Sequence, residues 1–180
     1  MSRKQILDKV FETTYPQERI EAAVAAVAER MNAELAGREP LFLCVLNGAF
    51  MFAADLMKMV SVPCQISFVK LASYSGTHST GTVKQLIGLN ESLEGRTVVI
   101  VEDIVDTGKT MEGLVAQVRA LGAADVRVAT LLYKPGNCTA DVRLDYVGLE
   151  IPNDFIVGYG LDYDGFGRNI PEIMTLVKEQ

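Results

Sequence analysis

The sequence predicts an α/β protein in which helices flank a parallel, twisted sheet. One observation is that three segments, 41–46, 97–101 and 125–133, are apolar along most of their length instead of alternating. Such runs are typical of strands that are buried on both faces. A second observation is that segments with helical periodicity separate these runs, as parallel strands require. The chain has 180 residues, 49% of them hydrophobic, which is enough for one domain with a sizeable core.

The first half of the chain starts with a helix, a strand and a second helix. QERIEAAVAAVAERMNAELA (17–36) has apolar residues at helical spacing, and Gly37 follows as a C-terminal stop. LFLCVL (41–46) is short and apolar, which indicates a buried strand. Asn47-Gly48 predicts a turn, and residues 49–60 return to a helical pattern.

The second half continues the alternation around a polar loop. Residues 64–71 predict a strand, and residues 83–89 predict the strand that returns beside it. Between them, SYSGTHSTG (73–81) is polar and rich in Gly, Ser and Thr, a composition typical of a flexible loop. The remaining two core strands enclose a helix over 110–121, which ends at Gly122.

The charge and composition exclude several classes of function. A net charge of −6 and a pI of about 4.9 argue against a nucleic-acid or anionic-membrane surface. We find no membrane span and no signal peptide, and Cys44, Cys64 and Cys138 show no metal-ligand spacing. We therefore expect a cytoplasmic protein with reduced thiols. A polyphosphate ligand would need backbone amides, a few basic side chains or a divalent cation to neutralise it.

Three turns are predicted to meet at one edge of the sheet. Open parallel sheets bind ligands at the carboxyl ends of their strands. The Asn47-Gly48 turn, the 102–110 loop and the Lys134-Pro135-Gly136 turn each follow a predicted strand. We therefore expect these segments to line a single crevice.

The 102–110 loop leads into a helix start that suits a phosphate group. Residues 107–110 read Thr-Gly-Lys-Thr, which offers backbone N–H groups, two hydroxyls and a close approach at Gly108. A plain alternative is that Asp106 or Thr107 only caps the helix. A Walker A loop is excluded, because its pattern needs glycine at position 103, which is Asp103 here.

Two acids precede this predicted phosphate site. Glu102 and Asp103 stand where the third core strand ends. Carboxylates beside a phosphate site are expected to accept hydrogen bonds from sugar hydroxyls or to hold Mg²⁺. A structural role would instead require a partner Arg or Lys, since buried unpaired carboxylates are costly. The combination matches a ribose 5-phosphate lying across the loop.

The segment VVIVEDIVDTGKTM (98–111) resembles the 5-phosphoribosyl-1-pyrophosphate (PRPP) signature of type I phosphoribosyltransferases. SYSGTHSTG, LLYKPG (131–136) and YVGLEIPNDFIVGYGLDY (146–163) are similar to the flexible loop, lysine-bearing turn and purine-binding segment of the hypoxanthine (guanine) phosphoribosyltransferases. The resemblance implies the type I fold in a single domain over 1–180. Its core would span about 38–142, and residues 1–16 and 143–180 would form a small hood.

The resemblance also implies roles for the residues of the PRPP segment. Glu102 and Asp103 would contact the ribose hydroxyls, directly or through Mg²⁺. Asp106 would be the general base for the purine N7 proton. The 5′-phosphate would lie against Asp106 and the four residues that follow it: Thr107, Gly108, Lys109 and Thr110.

The purine would be held by residues from two other segments. The resemblance implies that Lys134 donates to the 6-oxo group and that Phe155 stacks on the base. Backbone groups at Ile156 and Asp162 would read its edge, and Asp162 would also help to place a second Mg²⁺. Without the resemblance, Phe155 would be interpreted as a core aromatic residue and Lys134 as a solvated strand end.

Pyrophosphate would be bound by Asn47, Gly48 and Arg168, with Ser73 and Tyr74 closing over it as part of a lid. Arg168 alone would be interpreted as a surface charge. The family often has a cis peptide bond in this turn, so we predict a cis or strained Leu46–Asn47 bond. Many relatives carry a basic residue where this chain has Asn47, so the side-chain charge at this position is missing.

The implied activity is Mg²⁺-dependent transfer of the phosphoribosyl group from PRPP to N9 of hypoxanthine, and of guanine, in purine salvage. Two alternatives stay open: a preference for xanthine, and an RNA-binding regulator built on the same fold. The resemblance also implies a homodimer or homotetramer. The sequence does not decide between hypoxanthine and guanine, nor the order of substrate binding.

Overall fold

The computed structural model describes residues 2–74 and 83–178, apart from the side chains of 72–74 and 83–86. Most of the predicted lid loop therefore lies outside the described residues. The side chains of Ser73 and Tyr74 lie outside them as well, so their predicted lid role stays a prediction.

The chain forms ten strands and three helices within the described residues. In order they are β1 (Arg3–Ile6), β2 (Lys9–Tyr15), α1 (Gln17–Glu34), β3 (Leu41–Leu46), α2 (Phe50–Met59), β4 (Gln65–Tyr74), β5 (Val83–Ile87), β6 (Thr97–Val105), α3 (Lys109–Ala120), β7 (Asp125–Tyr133), β8 (Tyr146–Glu150), β9 (Ile156–Val157) and β10 (Ile173–Leu176). The predicted helices and central strands are confirmed, with ends that shift by a few residues.

The main sheet has six strands in the order β5-β4-β3-β6-β7-β8. Five of them run parallel, and β5 pairs antiparallel with β4, as expected for a strand that returns from a loop. This arrangement confirms the predicted fold class. Parallel strands align their carboxyl ends, so β3, β6 and β7 end at one edge.

Helices cover both faces of this sheet. Phe42, Cys44 and their neighbours on one face pack with the buried sides of α1 and α2. Leu41, Leu43 and Ile100 on the other face pack with Met111 and the rest of the inner side of α3. Alternate residues of one strand thus enter two different cores, which explains why its sequence is apolar throughout.

A second, four-stranded sheet forms the hood, in the order β1-β2-β10-β9. Its pairs are antiparallel, and β2 joins β10 from the other end of the chain. The expected hood range of 143–180 needs one correction, because β8 belongs to the main sheet. Tyr146 is fully buried there, pairs with Ala129 of β7, and donates its hydroxyl to Glu34 of α1.

Two strands are longer than the apolar runs predict. β6 continues through Glu102 and Asp103 to Val105, since its ladder with β7 extends to the pair Val105 and Tyr133. The two acids therefore lie on the strand rather than in a loop. β4 likewise continues to Tyr74, where the sequence pattern predicts a loop from residue 73.

The described helices include none that is both long and apolar enough to cross a lipid bilayer. Cys44, Cys64 and Cys138 form no disulfide with one another. Burial raises the pKa of the Cys44 thiol to about 12, and the nearby Glu102 charge adds to this effect. Cys44 is thus an inert core residue.

Candidate active site

The turn after β3 brings the strand ends and the hood together. The Leu46–Asn47 peptide bond is cis, as predicted. A Cβ atom on Gly48 would lie 1.5 Å from Oδ2 of Asp103, so the turn packs directly on this carboxylate. A Cβ atom on Gly160 of the hood would lie 2.0 Å from the Gly48 carbonyl oxygen. Glycine at both positions is what lets the three segments meet.

The acidic pair at the end of β6 is held by backbone donors. Oε1 of Glu102 accepts the N–H of Asp103 at 3.0 Å, and Oδ1 of Asp103 accepts the N–H of Ile104 at 2.7 Å. Burial raises the pKa of Asp103, while hydrogen bonds with Glu102 and with the N–H of Ile104, and to a lesser extent the charge of Arg168, act in the opposite direction. The ion pair of Arg168 itself is with Asp162.

Gly108 is the N-cap residue of α3. It has a left-handed backbone with φ of 80°, and a Cβ atom there would lie 2.8 Å from Sγ of Cys138. The carbonyl of Thr107 accepts the N–H groups of Thr139 and Ala140, which ties this loop to the segment after β7. Glycine is therefore required both by the backbone conformation and by the close approach.

No side chain caps the start of α3, so the alternative in which Asp106 or Thr107 serves as the cap is wrong. The N-terminal end of the helix borders a small cavity of about 110 Å³. Its lining includes Glu102, Asp106, Thr107, Gly108 and Thr110. Both the uncapped N–H groups and the helix dipole favour an anion at this end.

Asp106 lies between two donors from the turn after β7. Nζ of Lys134 is 3.1 Å from its Oδ2, and Nδ2 of Asn137 donates to its Oδ1. Burial opposes ionisation of Asp106, but the hydrogen bonds from Asn137 and Lys134 hold its pKa below the usual value. The two donors therefore favour the ionised form of Asp106, and each of its oxygens accepts one of them.

Lys134 is a buried cation rather than the solvated strand end of the plain interpretation. Only 7% of the residue is exposed, and Nζ also lies 3.4 Å from Oδ1 of Asn153. The sequence interpretation missed Asn137 and Asn153. The signal for Asn137 was its position three residues after Lys134, at the end of a tight turn.

Phe155 is not a core aromatic residue, because 48% of it is exposed. One side of the ring packs on hood aromatics, with centroids 6.1 Å from Phe11 and 5.8 Å from Tyr163. Ile156 follows in β9 and is buried. An aromatic ring that is supported on one side and exposed on the other suits stacking against a planar ligand.

Asp162 and Arg168 form an ion pair in the hood, with an N–O distance of 2.6 Å. Asp162 also accepts the N–H of Gly165, and Arg168 donates to the Gly160 carbonyl at 2.7 Å. Arg168 is thus a partly buried residue that shapes the loop over Gly48, and the interpretation as a surface charge is wrong.

Tyr159 fastens this hood loop to α2. It has a positive φ of 47°, its N–H donates to the Ile170 carbonyl, and its hydroxyl donates to Oδ2 of Asp55 at 2.6 Å. Burial opposes ionisation of Asp55, but hydrogen bonds from Lys58 and Tyr159 keep its pKa below the usual value. The sequence interpretation missed both Tyr159 and Asp55, because their pairing joins residues 104 positions apart.

Replacing Tyr159 by Phe should lower the free energy of unfolding by about 1–2 kcal/mol, because a partly buried carboxylate loses a donor. The melting temperature should fall by about 2–8 °C. Since the Asp55 pKa is lower in the folded state, this stabilisation is present above the unfolded pKa and is lost at lower pH. The difference from the parent chain should therefore narrow below about pH 4.

The control for this measurement is Tyr163→Phe. The Tyr163 hydroxyl also donates to a carboxylate, that of Asp8, but this contact is exposed. Thermal unfolding of the control should show little change in the melting temperature, because solvent screens an exposed contact. If the melting temperature fell equally in the two variants, the hydroxyl contact of Tyr159 would stabilise the hood no more than an exposed contact does.

The chain matches the model of the phosphoribosyl transferase domain over residues 12–164. It is 39% identical over 166 residues to the hypoxanthine-guanine phosphoribosyltransferase of Streptococcus thermophilus, covering 92% of each chain. It is 41% identical over 166 residues to the enzyme of the same name from Mycobacterium tuberculosis, covering 88% of this chain and 82% of the relative.

A crystal structure of a hypoxanthine phosphoribosyltransferase from Staphylococcus aureus superposes with a TM-score of 0.85 at 35% identity, covering 92% of this chain and 91% of that one. The range that the family model matches, residues 12–164, includes the acidic pair, the cradle at the start of α3 and the Lys134 turn. This chain belongs to the phosphoribosyl transferase family.

Proposed function

We propose that this protein transfers the 5-phosphoribosyl group of PRPP to N9 of hypoxanthine and guanine in purine salvage, forming IMP or GMP and pyrophosphate. The names of its relatives support this activity. The observation that carries it is the pair of Lys134 and Asp106, held 3.1 Å apart beside the phosphate cradle. A donor next to an acceptor complements the 6-oxo group and the N7–H that adjoin on an oxopurine.

The acidic pair serves the ribose in this proposal. Glu102 and Asp103 accept hydrogen bonds from its 2′ and 3′ hydroxyls. As the bond from C1′ to pyrophosphate breaks, positive charge develops on the ribose ring, and the nearby carboxylates stabilise it. The residues from Thr107 to Thr110 hold the 5′-phosphate at the helix start, which fixes C1′ relative to the base.

The purine is held from several sides. Lys134 donates to its 6-oxo group, Phe155 stacks on the ring, and backbone groups of Ile156 and Asp162 read its far edge. Asp106 accepts the N7 proton while N9 attacks C1′. Asn47, Gly48 and Arg168 bind the leaving pyrophosphate, and the lid with Ser73 and Tyr74 excludes water from the reaction.

Mg²⁺ is the proposed cofactor, with Glu102 and Asp103 as ligands of one ion and Asp162 as a ligand of a second. The described residues contain no cluster of three or more His, Cys, Asp or Glu side chains that could hold a metal by itself. A small number of carboxylates fits Mg²⁺, because this ion is usually held by one or two carboxylates together with substrate phosphates and water. The bound ion would neutralise charge on the pyrophosphate group.

Two alternative functions have weaker support. A preference for xanthine depends on groups that read position 2 of the purine, and these are partly backbone carbonyls. An RNA-binding regulator would need a basic surface, whereas the net charge is −6. We place the protein in the cytoplasm, which agrees with its free thiols.

Steady-state assays with PRPP, Mg²⁺ and four bases test the proposed function. Hypoxanthine and guanine should react, because both present a 6-oxo acceptor to Lys134. Adenine should react poorly, because its 6-amino group is a donor. Turnover of xanthine in preference to both would support the first alternative. A lack of turnover with every base, together with a salt-dependent RNA gel shift, would support the second.

We also propose that the protein assembles into dimers or tetramers. Several large apolar side chains are exposed on α2 and on the neighbouring strands of the sheet: Phe50, Met59, Ile66, Phe68 and Ile87. Burying them between copies of the chain would remove this apolar surface from water. Sedimentation equilibrium will report the stoichiometry, and a monomer at all concentrations would contradict the proposal.

A further inference from the structure

Both oxygens of Asp106 already accept a hydrogen bond before any purine arrives. Its Oδ2 is bound by Lys134 at 3.1 Å, and its Oδ1 is bound by Asn137. Each oxygen keeps a second lone pair and 42% of the side chain is exposed, so an N–H group can still approach, but the cationic donor on Oδ2 weakens that oxygen as a proton acceptor. If Asp106 is the base of the proposed reaction, on which this inference rests, it takes the proton more readily once one of the two donors leaves it.

The two donors differ in how freely they can leave. The backbone N–H of Asn137 donates to the Lys134 carbonyl at 3.1 Å, and the N–H of Lys134 donates to the Val105 carbonyl at 3.0 Å. The turn is thus fastened directly beside Asp106, and the short side chain of Asn137 has little range. Lys134 has a flexible four-carbon side chain, so its ammonium group can move while its backbone stays in place.

The ammonium group of Lys134 also has a second hydrogen-bond acceptor nearby. Its Nζ lies 3.4 Å from Oδ1 of Asn153, which stands two residues before Phe155. The ammonium group is therefore already shared between Asp106, in the loop from β6 to α3, and the segment that would bind the base. A 6-oxo group placed there would offer it a third acceptor.

We propose that the 6-oxo group of the purine draws Lys134 away from Oδ2 of Asp106, and that Asn137 is a positioning residue that holds the carboxylate so that Oδ2 meets N7–H. Lys134 then acts as a latch that only an oxopurine opens. Binding of the purine and release of the Asp106 carboxylate from Lys134 are then a single event.

The reaction step balances within the bound substrates. The N9 lone pair forms the bond to C1′, and the bond from C1′ to oxygen breaks with its electron pair passing to pyrophosphate. The proton on N7 moves to Oδ2 of Asp106, and the electron pair of that N–H bond stays on the purine ring. Asn137 still donates to Oδ1 throughout, so the carboxylate does not rotate as its other oxygen takes the proton.

The competing explanation is a fixed ion pair. In that case Lys134 stays on Asp106 and contacts the 6-oxo group only with a further N–H. The two explanations differ in where Nζ of Lys134 lies once an oxopurine is bound. With a latch, a purine that lacks the 6-oxo group leaves Lys134 on Asp106, so removing the ammonium group must help such a purine. A fixed pair also permits that gain, because the hydrogen bond from Lys134 holds the pKa of Asp106 down, so the structure with bound hypoxanthine decides between the two explanations.

Lys134→Met is the first test, assayed with hypoxanthine and with unsubstituted purine. We expect kcat/KM for hypoxanthine to fall by about 10²-fold, since the variant loses the donor to the 6-oxo group. We expect kcat/KM for purine to rise by at least about 3-fold over the parent enzyme. An unchanged or lower value with purine would overturn the latch. Hypoxanthine turnover by the parent enzyme is measured first, so a failure there counts against the proposed function instead.

Asn137→Leu tests the positioning role, with the exposed Asn90→Leu as the matched control. The variant should lower kcat for hypoxanthine about 5–50-fold and leave the KM for hypoxanthine and PRPP within about 2-fold. A parallel rise in both KM values, or no change in kcat, would remove Asn137 from this role. The control should match the parent in all three constants.

A crystal structure with hypoxanthine and a non-reactive PRPP analogue decides between the latch and the fixed pair. The latch requires Nζ of Lys134 on the 6-oxo oxygen and beyond hydrogen-bond distance of Oδ2 of Asp106, with Asn137 still on Oδ1. Finding Nζ still within hydrogen-bond distance of Oδ2 would overturn it.

Discussion

Replacing Asp106 by Asn should lower kcat by about 10²–10⁴-fold, the usual contribution of a general base. Asn137 holds the carboxylate, and Lys134 contacts it before the purine binds; an amide there has nearly the same shape but cannot take the N7 proton. The 5′-phosphate is bound mainly by the N–H groups and hydroxyls from Thr107 to Thr110. The dissociation constant of PRPP should therefore change by less than about 3-fold.

Pre-steady-state kinetics and a PRPP titration measure these two quantities separately. Asp141→Asn is the matched control, because Asp141 is exposed in the segment between β7 and β8 and lines a groove away from the crevice. It should match the parent enzyme. If Asp106→Asn weakened PRPP binding as strongly as it lowered kcat, Asp106 would be a binding residue rather than the base.

The central sheet was predictable because each core strand is buried on both faces. Phe42 and Leu43 are neighbours in sequence and enter opposite cores, so no polar residue is tolerated between them. The ends of the strands were harder to predict. Glu102 and Asp103 break the apolar run, yet they remain in the strand because the ladder to β7 continues past them.

The hood could not be predicted from local pattern. Only Ile6, Phe11 and Tyr15 are buried in β1 and β2, and β9 has only two residues. These strands are held by pairing across the chain, as in the contact of Glu12 with Thr175. Such long-range pairs leave no periodic signal, and for the same reason the contact of Tyr159 with Asp55 was missed.

The parts of the candidate site also differ in how well the sequence predicts them. The cradle at Thr107 to Thr110 was predictable because one contiguous motif forms it. Asn137 and Asn153 were not, because their role depends on where Lys134 points across the crevice. A sequence motif therefore identifies the contiguous part of the site. The side chains that complete it depend on the geometry of turns that lie elsewhere in the sequence.

Replacing Gly48 by Ala should disrupt the crevice as a whole and lower kcat/KM by about 10²-fold or more. The new Cβ would lie 1.5 Å from Oδ2 of Asp103 and 2.5 Å from its carboxyl carbon, far inside van der Waals contact. Asp103 cannot move without straining its hydrogen bond to the Ile104 N–H, and the turn cannot move without displacing Gly160 of the hood. A shift of about 1 Å in reacting groups is enough for a loss of this size.

Gly113→Ala gives the matched control for this substitution. Gly113 lies within α3, and a Cβ atom there would meet nothing within 4 Å. It should leave kcat/KM unchanged and raise the free energy of unfolding by about 0.5–1 kcal/mol, as alanine favours the helix. Gly48→Ala should instead lower the free energy of unfolding by about 1–3 kcal/mol through overpacking. If Gly48→Ala kept its kcat/KM within about 3-fold of the parent value, Asp103 would be able to move without loss of activity. Contact with the turn would then not be what holds this carboxylate in place for the ribose.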